Sequence, residues 1–213
     1  HFLCTSLCSF AHGAAHSWCH GKVSEAKHVQ NFCFSMFRDQ NGQLANSLNK
    51  LGEYPLGLNQ PYLAMMEELA KPAPLNKGHV FDGFIVKNLM TIDEIREDAE
   101  QVRQRKDSVM NLNWAETGNN LDEFEDLAIK EFKTASQMEV TGCDRIHLAR
   151  QIRDGKMPER SLLTKHIEEL EASSGEFEIL WRSRNRPSRL GDNLEMFNKA
   201  ISEIQNITSN LKN

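Results

Sequence analysis

Apolar positions recur at intervals of three and four along most of the second half of the chain, the period of a helix with one buried face. Leu121, Phe124, Leu127, Ala128, Phe132, Ala135 and Met138 form one such stripe. Asn120 and Glu123 have capping-box spacing at its start, and Gly142 is expected to end or kink the helix. Ile146, Leu148, Ala149 and Ile152 predict a shorter helix over 144–152, broken by Gly155-Lys156-Met157-Pro158. Leu163, Ile167 and Leu170 predict another over 161–172, with Gly175 as the next stop. Phe177, Leu180 and Trp181 open a further apolar segment that Pro187 terminates. The closing helix starts at Asp192 or Asn193 and carries Leu194, Phe197, Ile201, Ile204 and Leu211. Upstream, Thr91 with Glu94 has the form of a capping box for a helix with Ile92, Ile95, Ala99, Val102 and Val109 on one side. The acidic pairs Asp93-Glu94 and Asp122-Glu123 fall in first helical turns, where capping and the helix dipole account for them.

The first third lacks this regularity. Phe2, Leu3, Leu7 and Phe10 suit either a short buried strand or half a helix. Val29, Phe32, Phe34 and Phe37 make an apolar cluster before Arg38-Asp39-Gln40-Asn41-Gly42, which has the composition of a turn. Glycines and prolines then punctuate the chain to Gly78, leaving room for about two helical turns over 62–70 after Pro61. His79 to Val86 has strand-like character. The expected architecture is mainly α: an irregular, Cys- and His-rich segment over 1–78, then a helical bundle over 79–213.

Length and charge narrow the functions available. At 213 residues the chain can build one substantial core or two small ones, and 39% apolar content argues against disorder. Lys plus Arg number 25 against 30 for Asp plus Glu, a net charge of -5 that gives no general attraction for a phosphate backbone. No run approaches the roughly 18 apolar residues of a membrane span. The chain starts without Met or a leader pattern, which fits a processed terminus or the edge of a fragment. Cys4, Cys8, Cys19 and Cys33 crowd one end, with Cys143 apart. That crowding predicts disulfides and an extracellular or lumenal setting, with a cytoplasmic thiol protein as the alternative. Asn206-Ile207-Thr208 is an N-glycosylation sequon that such a setting would make usable.

Two clusters carry candidate chemistry. His12, His16 and His20 are spaced by four and would share a helix face, where imidazoles, with Cys19 nearby, can hold zinc or copper. The ordinary reading is surface histidines beside paired cysteines, with no cofactor. Arg182, Arg184, Arg186 and Arg189 surround a turn beside Trp181 and form a candidate face for a protein partner or a carbohydrate. Neighbouring Glu168, Glu169, Glu171, Glu176 and Glu178 favour pairing within the chain, with an arginine fork holding carbonyls around the turn. No Gly-rich phosphate loop and no H-E-x-x-H motif occurs. Cys143 and His147 would share a helix face, where a thiol activated by an imidazole is the minor alternative to an ordinary helix start.

The stretch Leu180-Trp181-Arg182-Ser183-Arg184-Asn185-Arg186-Pro187-Ser188-Arg189-Leu190, with Asp192, Leu194 and Phe197 beyond it, resembles the C-terminal helical region of bacterial-type β-N-acetylhexosaminidases of glycoside hydrolase family twenty. The resemblance implies a helical tail following a catalytic (β/α)₈ barrel, whose Asp-Glu pair performs the hydrolysis. A barrel needs roughly 250 residues, more than this chain supplies, and no catalytic residue is carried over. The expected function is therefore a non-catalytic helical structural or interaction module, as a tail or subunit of such a glycosidase. Its partner would be another protein chain or a second copy, with no nucleic acid and no membrane span. The alternative is a small secreted enzyme or metal-binding protein using the amino-terminal His and Cys cluster.

Overall fold

A computed structural model describes residues 3–18, 24–52, 97, 100–104, 107 and 122–210. Six helices have defined bounds: α1 (Leu3–Trp18), α2 (Glu25–Phe37), α3 (Gln43–Gly52), α4 (Glu123–Arg153), α5 (Arg160–Arg184) and α6 (Leu190–Asn210). Residues 100–104 are helical as well, and no strand occurs among the described residues. The protein is mainly α, as its apolar period predicts. It divides into two compact units, His1–Glu53 with Gln104–Ser136, and Tyr54–Arg103 with Gln137–Asn213. The expected division at 78/79, the Thr91–Glu94 box, the 62–70 helix and the 79–86 segment all lie outside the described residues.

In the first unit α1 packs on α2 and α2 on α3. Helix α2 closes at Arg38, whose left-handed φ of 56° lets its N–H return to the Cys33 and Phe34 carbonyls. Asp39 then accepts the N–H groups of Gln43 at 3.0 Å and Ala45 at 2.9 Å, so one carboxylate satisfies two orphan donors of α3. The predicted turn is thus a helix stop and a helix start in five residues. Phe37 is fully buried and meets Phe32 and Phe132 edge to face, at centroid distances of 6.1 and 6.0 Å. Cys33, Leu44, Ala45, Ala128 and Ile129 complete this core, and Leu7, Cys8 and Ala11 of α1 lie against it.

This part of the chain corrects the expectation of irregularity, since residues 3–18, 25–37 and 43–52 are helical. A glycine inside a helix costs about 1 kcal/mol, and docking the Leu7–Cys8–Ala11 face outweighs that cost at Gly13. Helical geometry also splits the expected Phe cluster. Phe32, Cys33 and Phe37 face inward, whereas Phe34 is 58% exposed.

Helix α4 begins with a capping box, but two residues later than expected. Asp122 Oδ1 accepts the Glu125 N–H at 2.8 Å and Glu125 Oε2 accepts the Asp122 N–H at 2.9 Å. Glu125 also pairs with Arg38. The helix then runs unbroken through Gly142. Val140, Thr141, Gly142 and Cys143 are all buried, so packing on every side overrides the glycine's weak preference.

In the second unit α5 and α6 form a hairpin, with Phe177 and Phe197 in contact across it at 5.9 Å. Leu163, Leu170, Phe177, Leu180, Leu190, Phe197 and Ile204 are buried along this pair. Helix α5 passes through Gly175 without a stop because the stripe stays in phase on both sides of it. Pro187 follows the end of α5, as expected, and α6 starts at Leu190, two or three residues earlier than the expected Asp192 or Asn193. Gly175 is exposed, and a Cβ there would meet nothing within 4 Å. Gly175→Ala should therefore stabilise the protein by about 1 kcal/mol in denaturant unfolding.

Candidate functional site

The histidines expected to share a face do so in part. Nε2 of His12 and Nε2 of His16 lie 3.1 Å apart, with the rings edge to face at 4.5 Å. A third imidazole arrives from α2, which no sequence spacing signalled: His28 packs on His12 at 4.8 Å between centroids. Nε2 of His28 is 3.3 Å from the Cys8 carbonyl oxygen. A carbonyl only accepts, so that contact places the His28 proton on Nε2. His20 and Cys19 lie outside the described residues. Among the described residues, no group of three or more His, Cys, Asp or Glu is arranged to hold a metal ion.

Among the described residues, Cys8 and Cys33 correct the disulfide expectation: both are free thiols. Cys33 is sealed in the core, where burial, then Asp39 and Cys8, push its pKa up to about 12. Burial and then Glu25 also raise that of Cys8. Both thiols therefore pack as small apolar side chains. Cys19 and the side chain of Cys4 lie outside the described residues.

The arginine segment is built around Trp181. Its indole N–H donates to the Arg186 carbonyl at 3.0 Å and its ring leans on Phe177 at 5.5 Å. The turn is thus fastened by the indole where an arginine fork was expected. Arg182 pairs with Glu178 one turn back, at 2.6 Å. Arg184 is half-buried, and Arg186 and Arg189 are exposed, with Arg189 at a left-handed φ of 66°. Asn193 Nδ2 donates to the Arg189 carbonyl at 2.7 Å, securing the entry to α6. Asn206 is exposed on α6.

A second ionisable group sits in the unit that contains α5 and α6, and the sequence held no local signal for it. Arg103 grips Asp144 with one nitrogen at 2.6 and 2.9 Å from its two carboxylate oxygens. Glu169 faces Asp144, and its carboxyl is held above the usual range by burial and then by the Asp144 charge, with Lys165 and Arg103 opposing. A carboxyl raised in this way is a group that acid–base catalysis uses. Here Arg103 lies directly on one of them, so the cluster also ties the 100–104 segment to α4. Arg145 on α4 is buried and pairs with Glu203 on α6. His166 on α5 is only 2% exposed, and neither of its ring nitrogens has a hydrogen-bonding partner. Burial, then the nearby Arg145 charge, lower its pKa to about 3. A cleft of about 480 Å³ lies beside the α4–α5 turn, lined by Lys156, Met157, Pro158, Glu159, Leu162 and Lys165.

Exposed aromatics concentrate in the other unit. Phe10 and Trp18 of α1 are 70% and 87% exposed, and no residue of α1 is Asp, Glu, Lys or Arg. No described helix is long and apolar enough to cross a membrane. No family model, curated protein or solved structure matches this chain.

Proposed function

We propose that the chain is a non-catalytic helical interaction module that pairs with a second copy of itself through α1. The observation that supports this most is the exposure of Phe10 and Trp18 on a helix with no Asp, Glu, Lys or Arg. Covering two aromatics removes roughly 300 Å² or more of apolar surface from water on each copy. That is several kcal/mol of gross driving force, part of which association itself consumes. The absence of charge on α1 directs the contact to this helix. The chain as a whole carries -5 and repels its copies, whereas two α1 helices meet without burying an acid or a base.

Within the same reading, the Leu180–Leu190 stretch supports a tail or subunit role in a β-N-acetylhexosaminidase-like glycosidase. Native mass spectrometry of the intact protein tests both statements. A dimer supports pairing through α1, and a co-purifying chain of barrel size supports the glycosidase role. A monomer at every concentration tried contradicts the proposed pairing.

A further inference from the structure

We propose that His12 and His16 of α1 form a two-imidazole clip for a zinc ion. The claim goes beyond pairing through α1 and stands independently of it. Two nitrogens bound to one tetrahedral zinc, each about 2.0–2.1 Å from the metal, lie about 3.3 Å apart. The observed separation of the two Nε2 atoms is 3.1 Å, so the nitrogens already lie near the span that a shared ion requires and the rings need only turn toward it.

The spacing of four residues makes this possible, because it stacks the two side chains one turn apart on one helix face. His16 is exposed and His12 half-buried, so an ion can reach the pair. The His28 ring packs on His12 and is itself tied to the Cys8 carbonyl, which limits the positions open to the His12 ring. Without metal, the two Nε2 atoms can share one proton, which requires one ring to be the Nε2–H tautomer. With zinc, both rings carry their proton on Nδ1 and both Nε2 lone pairs point at the ion. The described residues supply no third ligand. Zinc is the ion chosen because neutral imidazole suits it.

The test is calorimetric titration of the full chain with zinc chloride, with X-ray absorption at the zinc edge on the loaded protein. One zinc per chain is expected, with nitrogen and oxygen but no sulfur in the first shell. His16→Ala and, separately, His12→Ala should each weaken binding by about tenfold or more, with helical content unchanged by circular dichroism. Should His12→Ala lose helicity, His16→Ala at the exposed position decides alone. Sulfur in the first shell overturns the proposal, as does an affinity untouched by His16→Ala or no binding at all.

Discussion

Replacing Glu203 by leucine should lower the stability of the unit containing α5 and α6 by about 3 kcal/mol in denaturant unfolding. The reason lies in Arg145, whose side chain is 3% exposed and whose guanidinium pairs with Glu203 between α4 and α6. A buried guanidinium has already lost its hydration, so removing a carboxylate beside it takes away compensation that water does not replace. The pair itself is a different matter. Taking two charges out of water consumes much of their mutual attraction, so the double replacement Arg145→Met with Glu203→Leu should be much less destabilising than Glu203→Leu alone. A double-mutant cycle reads the difference directly. Equal losses in the single and double variants would show that the ion pair does not set the energy of this contact.

Acid should weaken the same unit between pH 6.5 and 3 through His166. Its pKa falls from the ordinary 6.5 to about 3 in the folded protein, from burial first and the Arg145 charge second. Above pH 6.5 the ring is neutral folded or unfolded, and it contributes no slope. Between the two values the unfolded chain binds a proton that the folded chain refuses, so stability drops as pH falls. The loss is about 2 kcal/mol by pH 5, and it levels off once the folded ring also protonates near pH 3. Arg145 acts in the same direction, because it stays charged throughout. His166→Leu should remove this slope, measured as the pH dependence of the denaturant midpoint. It should also raise stability at neutral pH by about 1 kcal/mol, since neither ring nitrogen has a partner and a leucine fills similar volume.

The stripes that carry α4, α5 and α6 were legible because an apolar period survives whatever the helix packs against. Ala128, Phe132, Leu163, Leu170, Phe197 and Ile204 are buried where that period puts them. Helix ends were less legible. Gly142 and Gly175 looked like stops, yet a preference of about 1 kcal/mol yields to an in-phase buried face. The capping box moved from Asn120–Glu123 to Asp122–Glu125 because both fit the same local pattern, and only the fold selects between them. The cysteine count pointed to disulfides, whereas Cys33 sits on the inward face of α2 beside Phe32 and Phe37.

The ionisable contacts were not legible at all. Arg145 and Glu203 are 58 positions apart and Arg103 and Asp144 are 41 apart, and no local spacing links either pair. The same holds for His28 against His12, which joins two helices. Trp181 was legible as a large side chain before a turn. That its indole, with its ring against Phe177, is what holds the Arg186 carbonyl required the geometry.

Pairing through an uncharged aromatic face is the claim on which the functional reading depends. Sedimentation equilibrium of the full chain beside its Phe10→Glu, Trp18→Glu double variant tests it most directly. A concentration-dependent dimer is expected for the natural sequence and a monomer of equal helical content for the variant. A natural sequence that sediments as a monomer throughout, or a variant that still dimerises, would contradict it.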